Sequence, residues 1–146
     1  MNNTKTIKIK YHNKYIDKVA PAHDGEWVDL RAAETVTLKA GEFKLISLGV
    51  SMKLPDGYEA NIVPRSSTFK RWGIMQTNHF AVIDNSYNGD GDVWKYPVYA
   101  TRDVTIYENE RICQFRINKC NPEIVFEEVV KLDDTDRGGF GSTGVN

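Results

Sequence analysis

Apolar and polar residues alternate along most of the chain. Residues 7–11 read Ile-Lys-Ile-Lys-Tyr, the period of two expected of a half-buried strand, and residues 43–50 form a longer apolar run. Further runs rich in Val, Ile, Tyr and Phe occupy residues 58–63, 93–100, 111–118 and 124–130. Turns rich in Gly, Pro and Asn separate these runs. The pattern predicts an all-β sandwich or barrel.

One segment departs from the period of two. Residues 66–73 read Ser-Ser-Thr-Phe-Lys-Arg-Trp-Gly, in which Ser66 is a suitable N-cap and Gly73 a suitable helix stop. We therefore predict a short helix here. The free N–H groups of its first turn, next to Arg65, suit a phosphate group. Taken alone, the segment is better explained as a capped surface helix with an arginine salt bridge, because that situation is the commoner one.

The C-terminal residues 136–144 are rich in glycine and contain one aromatic residue, Phe140. Glycine has high backbone entropy and no side chain to pack, so a stable strand is not expected. We predict a β-domain over residues 1–135 and a flexible arm over residues 136–146 that closes over a ligand. Arg137, Ser142 and Thr143 could hold phosphates, and Phe140 could stack on a ring. A disordered glycine tail is the alternative.

Length, charge and cysteine content narrow the class of protein. The chain has 146 residues, the size of one domain, with 19 Lys and Arg against 20 Asp and Glu. The net charge of −1 argues against duplex nucleic acid as the main partner. No apolar run approaches a membrane span, and the N-terminus lacks a signal-peptide pattern. Cys113 and Cys120 cannot form a disulfide framework, so we expect a cytoplasmic protein with packed thiols.

A carboxylate stands at the end of a short apolar strand. Val82 and Ile83 precede Asp84, and a polar turn follows at residues 85–90. A carboxylate in this position can orient and deprotonate a water molecule. Asp is also common as an Asx-turn residue that caps its own loop, which is the alternative.

Five segments together resemble the homotrimeric dUTP diphosphatase (dUTPase) family, in the type found in Gram-positive bacteria and their phages. They occur in the family's order and span nearly the whole chain. They are GEWVDLRA at 25–32, PRSS at 64–67, NHFAVIDNSYNG at 78–89, ERICQ at 110–114 and RGGFGSTG at 137–144. The sequence departs from the family at Trp27 and Val28, at Ala81, in a shorter arm and in an insertion at residues 89–94. The resemblance implies a distorted jelly-roll or β-clip barrel and a homotrimer with sites between subunits.

The resemblance also implies a reaction, the hydrolysis of dUTP to dUMP and pyrophosphate by water attack on the α-phosphorus. This reaction limits uracil in DNA and supplies dUMP for thymidylate synthesis. Asp84 is expected to activate the water, and Gln114 to place it. Mg²⁺ is expected on the triphosphate, with Asp29 contacting the ion through water.

Other residues are implied to bind the substrate. The phosphate chain is expected at Arg65, Ser66 and Ser67. The uracil and deoxyribose are expected at the hairpin formed by Asn78, Ile83 and Tyr87. From the arm, the implied contacts are Arg137, Phe140, Gly141, Ser142 and Thr143.

Two other functions fit parts of the pattern. A dCTP deaminase-like enzyme shares the β fold and the trimer, although it needs a glutamate base that the motifs lack. A non-catalytic jelly-roll module for binding or regulation is the second alternative. If the gene is carried by a phage, a repressor protein is a further possible partner.

Overall fold

The computed structural model describes residues 4–21, 24–133 and 135–139. Within them the chain forms eleven strands and one short helix, α1, at Thr68–Trp72. The all-β prediction is therefore confirmed. The strands are β1 Lys8–Tyr11, β2 Val28–Arg31, β3 Val36–Leu38, β4 Phe43–Ser47, β5 Val50–Lys53, β6 Tyr58–Pro64, β7 Ile74–Gln76, β8 Ala81–Ile83, β9 Lys95–Ala100, β10 Val104–Ile106 and β11 Arg111–Lys119.

The strands pair antiparallel in four sheets, which share one core. The largest sheet has the order β2-β11-β6-β8, and a three-stranded sheet has the order β4-β9-β7. The pairs β1-β5 and β10-β3 complete the arrangement. Trp94, which is fully buried, meets Phe115 of β11 edge-to-face with ring centroids 5.3 Å apart. This contact joins the segment entering β9 to the four-stranded sheet.

The helix prediction is confirmed, but its N-cap is Ser67 and not Ser66. Ser67 makes no side-chain cap hydrogen bond. Instead, the Thr68 hydroxyl accepts from the backbone N–H of Arg65 at 2.8 Å and donates to the carbonyl of Ile112 at 2.9 Å. The helix ends at Gly73, whose φ of 66° is the left-handed conformation that favours glycine. Thr68 thus fixes Arg65 against β11.

The predicted strand over residues 43–50 is interrupted. β4 ends at Ser47, and β5 begins at Val50 after a change of direction at Gly49. Gly49 has φ +69°, and a Cβ there would lie 2.6 Å from the Cβ of Ala33. Only glycine fits this turn without displacing its neighbour.

The predicted strand at residues 124–130 is wrong. The chain has no regular secondary structure there, and each residue is exposed. Val125, Phe126 and Val130 have exposed fractions of 84%, 93% and 101%. An alternating pattern forms a strand only where a neighbouring strand supplies hydrogen bonds. Within the described chain, no strand pairs with this segment.

Candidate active site

A cavity of about 580 Å³ opens beside β2, β11 and the segment leading into α1. Four residues that the sequence assigned to the site line it together: Asp29, Arg65, Ser66 and Gln114. The remaining lining residues are Lys18, Ala20, Pro21, Asp24, Trp27, Arg31 and Arg111. Four cationic side chains therefore face two carboxylates. A larger cavity of about 710 Å³, beside residues 11–18, contains none of the predicted site residues.

The register of the four-stranded sheet builds this cavity. Gln114 on the central strand β11 lies opposite Asp29 of β2 and Val63 of β6. Side chains of directly opposed residues share a face, so Asp29 and Gln114 project to the same side. Gln114 also donates from Nε2 to the carbonyl of Pro64 at 3.2 Å. Arg65 follows directly, at the end of β6.

An irregularity in β11 adds Arg111 to the same face. Arg111 and Gln114 are three residues apart, which in a regular strand places side chains on opposite faces. The pairing with β2 shifts register between Arg111 and Cys113, as in a β-bulge. Consistent with this, Ile112 and Cys113 are adjacent and both fully buried. The bulge therefore brings Arg111 to the cavity, a position that strand alternation does not predict.

Asp29 joins two of the three arginines that line the cavity. Its Oδ1 lies 3.1 Å from Arg65 Nε, and its Oδ2 lies 3.3 Å from Arg111 Nη1. Arg65 also donates from Nη1 to the carbonyl of Arg111 at 3.3 Å. The result is a pair of guanidinium groups held by one carboxylate at the wall of the cavity.

Asp84 lies elsewhere on the same chain. Its neighbour Ile83 is opposite Ala60 of β6, whereas Arg65 follows the other end of that strand. Ala60 and Arg65 are five residues apart, which corresponds to roughly 17 Å along a strand. Within one chain, Asp84 and the arginine-lined cavity therefore form two separate regions.

The Asp84 carboxylate closes a turn. Its Oδ1 accepts from the Ser86 hydroxyl at 2.6 Å and from the Ser86 backbone N–H at 2.9 Å. These bonds, the hydroxyl first, hold the pKa of Asp84 below the usual range of aspartate. Asp84 is exposed, and both bonds use one oxygen. The geometry is that of an Asx turn, and it leaves an ionised carboxylate facing solvent.

Of the predicted uracil and deoxyribose residues, Ile83 and Tyr87 lie on either side of this turn, and Asn78 lies before β8. Tyr87 donates its hydroxyl to the Val93 carbonyl at 3.0 Å, and Asn78 accepts from Gln76 Nε2 at 3.0 Å. Ile83 is half-buried in β8. None of these residues lines the cavity. The predicted hairpin is not formed, because β7, before Asn78, pairs with β9, and β8, after it, pairs with β6. Ser67, at the start of α1, is not among the residues lining the cavity.

The arm is described only in part. Arg137 is exposed, and its Nε donates to the carbonyl of Gly138 at 3.3 Å. The predicted contacts Phe140, Gly141, Ser142 and Thr143 lie outside the described residues. Their roles, and the division into a β-domain and an arm, stay predictions.

The thiols and carboxylates of the described residues offer few ligands for a metal ion. Cys113 is buried, and burial raises the pKa of its thiol well above the usual value, which favours the neutral form. No group of three or more His, Cys, Asp or Glu in the described residues could hold a metal ion. A Mg²⁺ ion carried by a triphosphate keeps several waters and needs few protein ligands. The Asp29 carboxylate at the cavity fits such an ion, through water.

The fold and the cavity define an all-β domain whose guanidinium groups suit a phosphorylated ligand. The dUTPase family model matches residues 27–144, and the chain belongs to this family. It is 54% identical to a "SPbeta prophage-derived deoxyuridine 5'-triphosphate nucleotidohydrolase YosS" of Bacillus subtilis, over 94% of this chain and 97% of that protein. It is 42% identical to the corresponding nucleotidohydrolase of Finegoldia magna, covering 80% and 83% of the two chains.

Solved structures share the fold. The dUTPase of Staphylococcus bacteriophage 80alpha with dUPNHPP has a TM-score of 0.72 at 24% identity, covering 97% of this chain and 100% of that one. The Streptococcus mutans dUTPase has a TM-score of 0.70 at 21% identity, covering 80% and 98%. A dUTPase of phage phi11 of S. aureus, TM-score 0.74 at 18% identity over 88% and 99%, has a structural Mg(II) ion. The predicted distorted jelly-roll fold is confirmed by this likeness. Among the described residues, no helix has the length and apolar character needed to cross a membrane.

Proposed function

We propose that this protein hydrolyses dUTP to dUMP and pyrophosphate by water attack on the α-phosphorus. The observation that carries the proposal is the cavity itself. In a chain of the dUTPase family, it brings Asp29, Arg65, Ser66 and Gln114 together from three separate sequence motifs. Its guanidinium groups supply the charge-assisted hydrogen bonds that a triphosphate needs. Its cations also stabilise the negative charge that develops in the transition state.

The water is the nucleophile, and Asp84 accepts its proton. The hydrogen bonds from Ser86 lower the pKa of Asp84, so the carboxylate is ionised at neutral pH and available to accept the proton. Gln114 orients the water and the α-phosphate by hydrogen bonds from its amide. Asp29 would hold, through water, a Mg²⁺ ion carried by the triphosphate, and the ion would neutralise phosphate charge. The phi11 relative, which has a structural Mg(II) ion, supports a role for this metal.

Recognition of the base is assigned to the segment from Asn78 to Tyr87. The backbone at Ile83, with Asn78, pairs with the uracil edge, and cytosine would leave these groups unpaired. Tyr87 packs on the deoxyribose. The arm, residues 136–146, closes the site, with Phe140 over the uracil and Arg137, Gly141, Ser142 and Thr143 on the phosphates. Ser67 adds a phosphate contact beside Ser66.

We propose that the complete site forms between copies in a homotrimer. Asp84 and Arg65 lie at opposite ends of β6 in one chain, so the Asp84 turn of a second copy must approach the cavity. The exposed apolar residues in 124–130 support association, because large apolar side chains this exposed are costly in a monomer. Sedimentation equilibrium should give about 50 kDa, three times 16.6 kDa. A fully active monomer would contradict the shared site.

A mixing experiment tests the shared site directly. Asp84→Asn and Arg65→Gln each inactivate the protein when alone. The two variants are refolded together in equal amounts. If copies mix at random, about a quarter of the sites combine an intact Arg65 from one copy with an intact Asp84 from another. Recovery of about that share of wild-type activity supports the shared site. Absence of recovery in mixed oligomers shows that each chain carries its own site.

Product analysis separates the three candidate functions. Incubation with dUTP and with dCTP, followed by assays for pyrophosphate and ammonia, is sufficient. Pyrophosphate from dUTP alone supports the diphosphatase. Ammonia from dCTP supports the deaminase-like enzyme, and no product from either supports the binding module. The free thiols Cys113 and Cys120 fit a cytoplasmic location. The repressor partner stays a prediction.

A further inference from the structure

Gln76 is a buried amide that lies outside the five motifs. It is the last residue of β7, has an exposed fraction of 4% and precedes Asn78 by two positions. Its Nε2 donates to the carbonyl of Ile62 in β6 at 2.9 Å and to Asn78 Oδ1 at 3.0 Å. Gln76 therefore connects the core of the largest sheet to a residue that the proposed function assigns to the base.

The neighbours of Gln76 decide which way its amide points. The carbonyl oxygen of Ile62 can only accept a hydrogen bond, so the group beside it is the NH₂ of Gln76 and not its oxygen. The second hydrogen of this NH₂ group points to Asn78, so the facing atom of Asn78 is its acceptor, Oδ1. None of the hydrogen bonds among the described residues uses Asn78 Nδ2. Because Asn78 is exposed, its N–H donors are available to a ligand.

The other end of the Gln76 amide is costly for the fold. Its Oε1 is buried and has no partner among the described residues. An unsatisfied buried acceptor is destabilising, whereas methionine has a similar length and no such polar atom. What glutamine adds at this position is a pair of N–H donors, one of which is directed at Asn78.

The orientation of the Asn78 amide matters for the choice of pyrimidine. Uracil has a carbonyl at C4, which accepts a hydrogen bond, and cytosine has an amino group there, which donates one. An N–H of Asn78 against this position pairs with uracil and opposes the amino group of cytosine. After a rotation of 180°, Oδ1 of Asn78 would accept from that amino group instead. Discrimination at this contact therefore requires an Asn78 amide that cannot turn.

We propose that Gln76 is a positioning residue for base selection, which holds the Asn78 amide with its N–H donors towards the base. The inference rests on the proposed function for the identity of the ligand. Gln76 acts only through Asn78, from the core side of the site. Its contact with the Ile62 carbonyl is what prevents the two amides from turning together.

The first test compares dUTP with dCTP in the full-length Gln76→Met variant. Methionine removes both N–H donors at a similar side-chain length. The preference for dUTP over dCTP in kcat/KM should fall about 10–100-fold, the range expected when one buried polar group is left unpaired. The control is Thr77→Ala, because Thr77 is exposed and its side chain makes no hydrogen bond with the described residues; its preference should stay within about twofold of wild type. Melting temperatures show whether each variant is folded.

Gln76→Glu tests the orientation of Asn78 by reversing it. The introduced carboxyl group, buried beside a carbonyl, stays protonated and donates to Ile62. Its carbonyl oxygen then faces Asn78, which turns to donate from Nδ2 and presents Oδ1 to the base. The preference for dUTP should fall below that of Gln76→Met, and dCTP should inhibit dUTP hydrolysis more strongly than in wild type.

A double substitution separates positioning from a loss of packing. In an Asn78→Ala background, Gln76→Met should change the preference less than about twofold, because the residue through which Gln76 acts is absent. The proposal is overturned if folded Gln76→Met keeps the wild-type preference, or if its effect persists in the Asn78→Ala background. If Gln76→Met does not fold, an unchanged preference in Gln76→Glu overturns it.

A separate measurement distinguishes this inference from the proposed function. Absence of dUMP formation by the wild-type protein would reject the proposed hydrolysis. Calorimetric titration with dUMP and dCMP then measures the same preference without turnover. Tighter binding of dUMP that weakens in Gln76→Met would support the inference even so, and equal binding of the two nucleotides by wild type would overturn it.

Discussion

Replacing Asp84 by Asn separates a catalytic carboxylate from a turn residue. Asn keeps the shape of Asp and retains an Oδ1 that accepts both hydrogen bonds from Ser86. Because Asp84 is exposed, no buried charge is lost and the fold should be unchanged. The variant lacks only a basic oxygen to accept the proton of the water. General-base assistance contributes about 10²–10⁴ in rate, so kcat should fall by that factor, about 3–5 kcal/mol in activation free energy.

The assay combines steady-state kinetics with calorimetric binding of a non-hydrolysable dUTP analogue. Affinity should be nearly unchanged, because the phosphates are bound at Arg65 and Ser66, which lie in the other region of the chain. A fall in kcat at constant affinity identifies a group that acts in the transition state. A kcat within about threefold of wild type would refute the assignment, because a change this small is below the least effect expected of a general base.

Three further predictions follow from the same structure. Deleting the chain from Arg137 onward should leave the melting temperature unchanged and remove most dUTP turnover, since the described arm residues are exposed; full turnover would exclude a role for the arm. Ser86→Ala removes the hydroxyl that lowers the pKa of Asp84, so the acid limb of the pH–kcat profile should move to higher pH, and an unmoved limb would show that Asp84 does not control it. In the native protein, Ellman's reagent should modify Cys120 well before Cys113, whose thiol is buried and has a raised pKa, and equal rates would contradict this packing.

Most of the strands that the sequence predicts correctly are long enough to show a period of two; the three-residue strand β8 is the exception. Residues 58–63 and 111–118 lie within β6 and β11, the two central strands of the largest sheet. The strands β3, β7 and β10 have three residues each and escaped prediction. Such short strands show no period of their own and depend on the pairing that tertiary structure supplies.

For the site as well, the sequence predicts the residues that belong to local motifs but not those placed by tertiary structure. Asp29, Arg65 and Gln114 were predicted because each belongs to a motif that can be identified locally. Arg111 stands in the same motif as Gln114, but the odd number of residues between their positions predicts side chains on opposite faces of the strand. Only the register shift in β11 brings Arg111 to the cavity. The strand predicted at residues 124–130 was wrong for a related reason. Alternation indicates a strand but does not specify the neighbouring strand with which it pairs.

Hydrolysis in ¹⁸O-enriched water tests the central claim most directly. Water attack on the α-phosphorus forms the new P–O bond on the nucleotide and expels pyrophosphate. Mass spectrometry after a single turnover of dUTP should therefore find one ¹⁸O atom in dUMP and none in pyrophosphate. Label in the pyrophosphate would show attack on the β-phosphorus, and the absence of dUMP would show that the protein does not carry out this reaction.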